Sequence, residues 1–175
     1  FIIGGYDKCN MSNEMLFTPE EKANVSNIKG EAFFVRAYSI FMLSQYFCAD
    51  YDANTATAAN SGVSYRLDYA PSSSSSTYPG RKTLAETYTQ VKNDLDSAAL
   101  YITTEGMPSN IRISKDAITA LRARVALAMD DYTNAASYAE SLIGTGTYTL
   151  AADMNELADL WYNDGGNETI LQLAI

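Results

Sequence analysis

Between Leu84 and Ile102 the apolar residues return at a helical interval. Leu84, Tyr88, Val91, Leu95, Ala98 and Ile102 stand 4, 3, 4, 3 and 4 apart. Only a helix of 3.6 residues per turn gathers such a set on one face. Thr83 and Glu86 form a capping box that would start this helix, and Gly106 and Pro108 are expected to stop it. A stripe this continuous needs a partner surface, because a lone amphipathic helix of this length is marginal in water. The rest of the chain must therefore supply helices of the same kind.

It does so. Ile2, Tyr6, Cys9 and Leu16 mark one face of a first helix. Thr18-Pro19-Glu20-Glu21 reads as an N-cap, a Pro at the first helical position and a capping-box Glu, opening a short turn of helix. A long helix is expected from about Ile28 to Phe47, with Ile28, Ala32, Val35, Met42 and Tyr46 on one stripe and Phe33, Ala37 and Ile40 beside it. Its charged residues are Lys29, Glu31 and Arg36, so it should be central to the core. Ser114 caps a further helix with Ile118, Leu121, Val125 and Ala128 inward. Asp130-Asp131 makes a turn into a helix with Tyr132, Ala135, Ala139 and Leu142 inward, which Gly144 and Gly146 end. Eight alanines between Ala117 and Ala139 would let this pair approach closely, with Tyr132 wedged after the turn. Tyr148-Thr149-Leu150 reads as short and extended. Ile170, Leu171, Leu173 and Ile175 suggest a buried strand or extended segment, with Trp161 packed beside it.

The predicted fold is all-α: a tetratricopeptide-like helical-hairpin repeat, an α-α superhelix, with a long irregular loop and a short C-terminal extended segment. It is read as one domain over residues 1–175. Both ends are expected to be cut, since the chain starts in mid-pattern without Met and stops inside a strand-like run. The loop, at about 50–82, holds DANTATAANSG, then Tyr65, Arg66 and Tyr69, then five serines from Ser72 to Ser76. A connection of that length is usually functional or disordered, and the serine run is expected to be mobile.

Charge and residue inventory exclude several functions. Acids outnumber bases by 21 to 12, a net charge of −9, whereas a nucleic-acid binder needs a basic face. No apolar run approaches the roughly 20 residues of a membrane helix. The chain has no histidine, which removes Ser-His and Cys-His nucleophiles and His-ligated metals. Ser26-Asn27-Ile28-Lys29 matches a bare Ser-x-x-Lys, but Lys82-Thr83 is followed by Leu84 rather than Gly, so helix-end polarity explains the motif better. Asp50-x-Asp52-x-Asn54 opens like a calcium loop, yet Thr55 stands where Gly is needed and Ser61 where Glu is needed. Gly144-x-Gly146 lacks a third glycine and is a helix stop. Asp94 and Asp96 lie on different helix faces and make no acid/base pair. Cys9 and Cys48 would sit about 15 Å or more apart along antiparallel helices, too far for a disulfide, and are expected to be buried fillers. Neither a metal, a cofactor nor catalysis is expected.

Binding is what the residues permit. Tyr65, Arg66, Tyr69 and Tyr78 put aromatic faces and a guanidinium in a polar loop on a helical scaffold, the materials for stacking on sugar rings and bonding their hydroxyls. The same tyrosines would equally pin the loop to the helices. Asn10 has two readings, a ligand contact and a buried amide bonding a helix end. Arg36 is expected to tie helices together through a carboxylate or carbonyl groups. A plain tetratricopeptide-type adaptor binding peptides or proteins in a groove is the alternative, and it has no need of the loop.

Four blocks together resemble the SusD/RagB family of nutrient-binding outer-membrane lipoproteins. Gly30-Glu31-Ala32-Phe33-Phe34-Val35-Arg36-Ala37-Tyr38 is similar to the family's Gly-Glu-Ala-x-Phe-Leu-Arg-Ala-Tyr helix, with Val35 in place of Leu. Thr83 to Ala98 resembles its Thr-Val-x-x-Val-Tyr…Asp-Leu-x-x-Ala. Ile113 to Tyr148 resembles its Leu-x-Ala-Arg-Val-x-Leu…Asp-Tyr-x-x-Ala…Gly-x-Tyr-x-Leu. Asn167-Glu168-Thr169-Ile170-Leu171 resembles its Asn-x-Glu-x-Ile-Phe, and Asn10 stands where the family often has Ala-Asn. The resemblance implies the N-terminal helical part of a cell-surface lipoprotein. It implies a non-enzyme that captures oligosaccharides or other nutrients and passes them to a SusC-like TonB-dependent transporter. Membrane contact would then be through a lipid anchor outside this stretch.

Overall fold

The computed structural model describes residues 18–67, 74, 78–106, 111–163 and 166–172. Among them there are five α-helices and no strand: α1 Pro19–Phe47, α2 Leu84–Tyr101, α3 Lys115–Ala128, α4 Tyr132–Gly144 and α5 Met154–Tyr162. No helix among the described residues is long and apolar enough to cross a membrane. The predicted first helix, with Asn10 and Cys9, lies outside the described residues. The chain divides into two compact units, Phe1–Ile102 with Ala128–Asp130, and Thr103–Leu127 with Asp131–Ile175.

In the first unit α1 packs on α2. The capping box at Thr18 closes in both directions: Glu21 N–H donates to Thr18 Oγ1 at 3.2 Å and Thr18 N–H donates to Glu21 Oε2 at 2.7 Å. What the sequence suggested was a separate short turn is in fact the start of α1, which runs unbroken for 29 residues. Nothing between Glu21 and Ile28 is a Gly or Pro, so no residue there stops a helix once it is capped.

The inward face of α1 is also different from the one expected. Gly30, Phe34, Ala37, Phe41 and Ser44 are buried, at spacings of 4, 3, 4 and 3, with Lys29 and Ile40 alongside. Ile28, Val35 and Tyr46 of the expected stripe are exposed instead. Close approach decides between the two faces. A Cβ on Gly30 would lie 2.6 Å from Ile102 Cγ1, so this face alone admits α2 at that distance. Phe33 stacks on Tyr101 at 5.9 Å between ring centroids, Phe41 meets Tyr88 edge-on at 6.2 Å, and Lys29 Nζ lies 4.6 Å from the Tyr101 ring centroid. Arg36 grips buried Asp94 with both ends of its fork, Nε at 2.7 Å and Nη2 at 2.5 Å, the carboxylate tie expected of it. Ser26 Oγ donates to the Tyr101 carbonyl at 3.3 Å, satisfying an orphan acceptor at the end of α2.

α2 follows its sequence pattern: Leu84, Tyr88, Val91, Leu95, Ala98 and Ile102 are all buried. It ends at Tyr101, capped by Ile102, five residues before the expected glycine stop. Gly106 is instead pressed against other side chains, where a Cβ would fall 1.9 Å from Asp116 Oδ2 and 2.6 Å from the Tyr148 hydroxyl. Pro108 lies outside the described residues.

In the second unit Ser114 Oγ accepts Ala117 N–H at 3.2 Å, and Ile118, Leu121 and Val125 of α3 are buried. Asp130 takes a left-handed φ of 57°, and Asp131 caps α4 by accepting Asn134 N–H at 3.2 Å. No residue of α4 is buried, and Tyr132, expected as a wedge, is 64% exposed. α5 lies between the two expected extended segments, where the sequence reading assigned no element, and is started by Asp153, which accepts the N–H groups of Asn155 and Glu156. Trp161 on it is 78% exposed rather than packed. Residues 166–172 are irregular, tied to the 148–150 segment by Thr149 N–H on the Asn167 carbonyl at 3.3 Å.

Candidate functional site

The long connection between α1 and α2 is folded onto the start of α2. Asp52 makes an Asx turn, its Oδ1 accepting both the backbone N–H and the side-chain amide of Asn54 at 2.9 Å. No group of three metal-ligating side chains stands together among the described residues. Asn60 then turns the chain with φ 61°.

From there the loop feeds the N-terminus of α2. Ser61 Oγ accepts Leu84 N–H at 2.9 Å and the Ala56 carbonyl accepts Ala85 N–H at 2.9 Å, so the loop satisfies amides that a helix start leaves orphaned. Gly62 N–H donates to the Lys82 carbonyl at 2.8 Å, and Lys82 N–H returns to the Val63 carbonyl at 3.1 Å. Gly62 is required here. A Cβ on it would lie 2.2 Å from Thr87 Oγ1 and 2.3 Å from the Thr83 carbonyl oxygen. Arg81 clamps both ends of the connection, Nε on the Gly62 carbonyl at 2.7 Å and Nη2 on the Phe47 carbonyl at 3.1 Å. Arg81 also reaches Cys48 Sγ at 3.6 Å; this cysteine is half-buried at the end of α1 rather than a core filler. Ala56 and Val63 are buried, and Tyr51 packs edge-on to Tyr88 at 5.1 Å.

This strapping leaves an open cleft of about 690 Å³ beside the first turns of α2. Tyr65, Arg66 and Leu67 form one wall and Glu86, Thr89 and Gln90 of α2 another, with Thr57, Pro79, Lys82, Thr83 and Ala85 completing it. The volume falls within the few hundred to about 1,000 Å³ usual for small-ligand sites. Tyr65 is half-buried, with its hydroxyl donating at 3.4 Å to the Glu86 carbonyl. Burial, then the Glu86 and Asp94 charges, push its phenol pKa up, so it stays a neutral donor at physiological pH. Glu86 is held below the ordinary carboxylate range by the Thr83 amide, with the Thr83 hydroxyl second. Ser64 Oγ donates to the Pro79 carbonyl at 2.6 Å and holds that part of the rim to the wall.

Of the residues singled out from the sequence, Tyr65 and Arg66 line this cleft together. Tyr78 does not line it; it stands 62% exposed next to Pro79, which does. Tyr69 and Asn10 lie outside the described residues, as does the serine run apart from exposed Ser74. Sequence reading missed Lys82, Thr89 and Gln90. Their signal was positional: Lys82 precedes the cap, and Glu86, Thr89 and Gln90 share the face of α2 opposite its apolar stripe, at the end where the loop returns.

A second cleft, of about 450 Å³, lies within the other unit between α5 and residues 149–151 and 166–168. Its carboxylates are Glu156, Asp159 and Glu168. Glu156 already accepts Ala152 N–H at 2.8 Å, and Asp159 accepts the Asn163 amide at 2.8 Å.

Residues 4–127 match the family model SusD-like, described as starch-binding and associating with the outer membrane. No curated protein matches the chain. Among solved structures, a SusD superfamily protein from Bacteroides thetaiotaomicron is 28% identical over 99% of this chain and 37% of its own, with a TM-score of 0.76. A SusD superfamily protein from Bacteroides vulgatus is 23% identical over 99% of this chain and 38% of its own, with a TM-score of 0.70. A laminarin-binding SusD-like protein is 18% identical over 97% of this chain and 34% of its own, with a TM-score of 0.68. The chain thus spans between 34% and 38% of the length of these three proteins.

Proposed function

The chain belongs to the SusD-like family, starch-binding and associating with the outer membrane, and we propose that it is the helical part of a cell-surface lipoprotein that captures glycans. Captured oligosaccharide is handed to a SusC-like TonB-dependent transporter. The protein binds and releases without making or breaking a covalent bond.

The observation that supports this reading most is the placement of Tyr65 and Arg66 on one wall of an open cleft, facing the polar side chains of Thr89 and Gln90. An aromatic ring stacks on the C–H face of a pyranose, while guanidinium, amide and hydroxyl groups meet its hydroxyls. An open cleft suits a chain that passes through it. Tyr69, Tyr78 and Asn10 are kept as candidate ligand contacts on their residue type alone, an aromatic ring or an amide suited to a sugar. The laminarin-binding relative makes a β-glucan a natural member of the test panel.

Affinity electrophoresis of the full-length protein through gels holding starch, laminarin and other glycans tests the proposal, with Tyr65→Ala, Tyr69→Ala and Tyr78→Ala beside it. Retardation by one glycan, reduced in Tyr65→Ala, supports capture in this cleft. Retardation unchanged in all three variants moves the site elsewhere. No retardation by any glycan, with a peptide or protein partner captured in its place, favours the adaptor reading.

A further inference from the structure

Building on the glycan-capture reading, we infer that the polar wall of this cleft is an acceptor surface: it holds a sugar by the hydrogens of its free hydroxyl groups and rejects one whose hydroxyls are etherified. The direction of the wall's own hydrogen bonds carries this. Thr89 Oγ1 donates to the Ala85 carbonyl at 2.8 Å, one turn back along α2. Thr83 Oγ1 donates to Glu86 Oε2 at 2.9 Å and accepts the Glu86 N–H at 3.1 Å, so it is spent in both directions. The Tyr65 hydroxyl donates to the Glu86 carbonyl at 3.4 Å. Gln90 Nε2 donates to Oδ1 of Asp94, the carboxylate paired with Arg36, at 2.9 Å. Each of these four acceptors is a carbonyl or an ionised carboxylate, which has no hydrogen to give, so none of the bonds can run the other way.

What remains for a ligand is the accepting side. Among the described residues, no protein group donates to Thr89 Oγ1, to the Tyr65 phenol oxygen, to Gln90 Oε1 or to Glu86 Oε1. Asp94 sets the Gln90 part of this pattern. Buried and gripped by both ends of the Arg36 fork, it keeps the amide nitrogen turned toward itself, which leaves Oε1 and one N–H of that amide. The cations of the lining do not reverse the balance: Arg66 is already engaged within the chain, and Lys82 acts on Glu86. The field runs the same way. After burial, the charges of Glu86 and then Asp94 hold the proton on Tyr65, with Arg36 opposing them. A free hydroxyl meets this wall with a hydrogen to donate. A methyl ether keeps the sugar's oxygen but loses that hydrogen, and covers an acceptor without satisfying it.

The test is isothermal titration of the full-length protein with soluble starch and with laminarin, each in three forms: native, O-methylated, and O-hydroxyethylated to the same degree. Methylation removes donors and adds bulk, whereas hydroxyethylation adds more bulk and restores a terminal hydroxyl. Thr89→Val, Thr89→Ser, Gln90→Met and Tyr65→Ala are titrated beside the wild type, with unchanged circular dichroism verifying each fold. The expected result is that one glycan binds in its native and hydroxyethylated forms and much more weakly when methylated. Thr89→Val and Gln90→Met should each weaken the native form about 2- to 13-fold, the range one neutral hydrogen bond contributes. Thr89→Ser, which keeps the oxygen, should bind like the wild type. Methylated glycan bound as tightly as native, and weakened in Tyr65→Ala, overturns the acceptor inference while glycan capture in this cleft stands. Methylated and hydroxyethylated forms weakened alike also overturn it, because bulk then decides. So does native glycan bound at wild-type affinity by both Thr89→Val and Gln90→Met. Failure of the wild type to bind either glycan in any form removes the capture reading with it.

Discussion

The α1–α2 unit and the α4 and α5 helices of the second unit begin alike and differ in what they bury. Thr18, Thr83, Asp131 and Asp153 each place a side-chain oxygen on the N–H groups of a helix's first turn. Yet α2 buries Leu84, Tyr88, Val91, Leu95 and Ala98 against the face of α1 that holds Gly30, while neither α4 nor α5 buries a single residue. A cap decides where a helix starts; an apolar stripe against a close partner decides how much free energy holds it. The loop shares in the better-buried region because it supplies hydrogen-bond partners to the start of α2.

The largest effect should separate these regions. Leu95→Ala opens a hole in a fully buried site and is expected to cost about 2–5 kcal/mol, read by urea unfolding followed by circular dichroism. Trp161→Ala, on exposed α5, should change the same midpoint by less than about 0.5 kcal/mol. A Trp161 variant as damaging as Leu95→Ala would break the contrast. Next comes Gly62→Ala, whose new methyl must displace Thr87 and backbone at Thr83; about 1–3 kcal/mol is expected. It should also distort the cleft, so weaker glycan retardation accompanies it. Thr83→Ala removes the cap that starts α2 and the anchor for Glu86, at about 0.5–2 kcal/mol.

The smallest effect is on pH dependence. Thr18 and Thr83 lower the pKa of Glu21 and Glu86 through their backbone amides first and their hydroxyls second. A carboxylate depressed in the folded state adds stability above its unfolded pKa and loses it as pH falls through its folded pKa. Stability should therefore decline on acidification below the ordinary glutamate range, and Glu86→Gln should flatten that decline. Both groups are fully solvent-exposed, so the change is small and best seen in the difference between the two acid-unfolding curves.

How much of this was legible in the sequence depends on which residues carried the signal. The inward face of α2 could be read because Leu84, Tyr88, Val91, Leu95 and Ala98 are apolar and regularly spaced, although buried Thr87 and Asp94 beside them carry no such signal. α1 could be located but not oriented: apolar side chains surround most of it, and the buried face includes Gly30 and Ser44, which a search for apolar residues passes over. α5 was missed although Asp153 and Glu156 stand at cap spacing, since the glycines and extended-looking residues after it drew the reading. Of the cleft, the loop's Tyr65 and Arg66 were legible as unusual residues in a polar stretch. Lys82, Thr89 and Gln90 were not, because only the fold shows that the loop returns to the first turns of α2.

The claim that glycan binds beside α2 also pits the two clefts against each other. Hydrogen–deuterium exchange of the full-length protein, with and without a retarding glycan, distinguishes them most directly. The account predicts slowed exchange in 57–67 and 78–90, with 149–168 unchanged. Protection confined to 149–168, around Glu156 and Glu168, would contradict it.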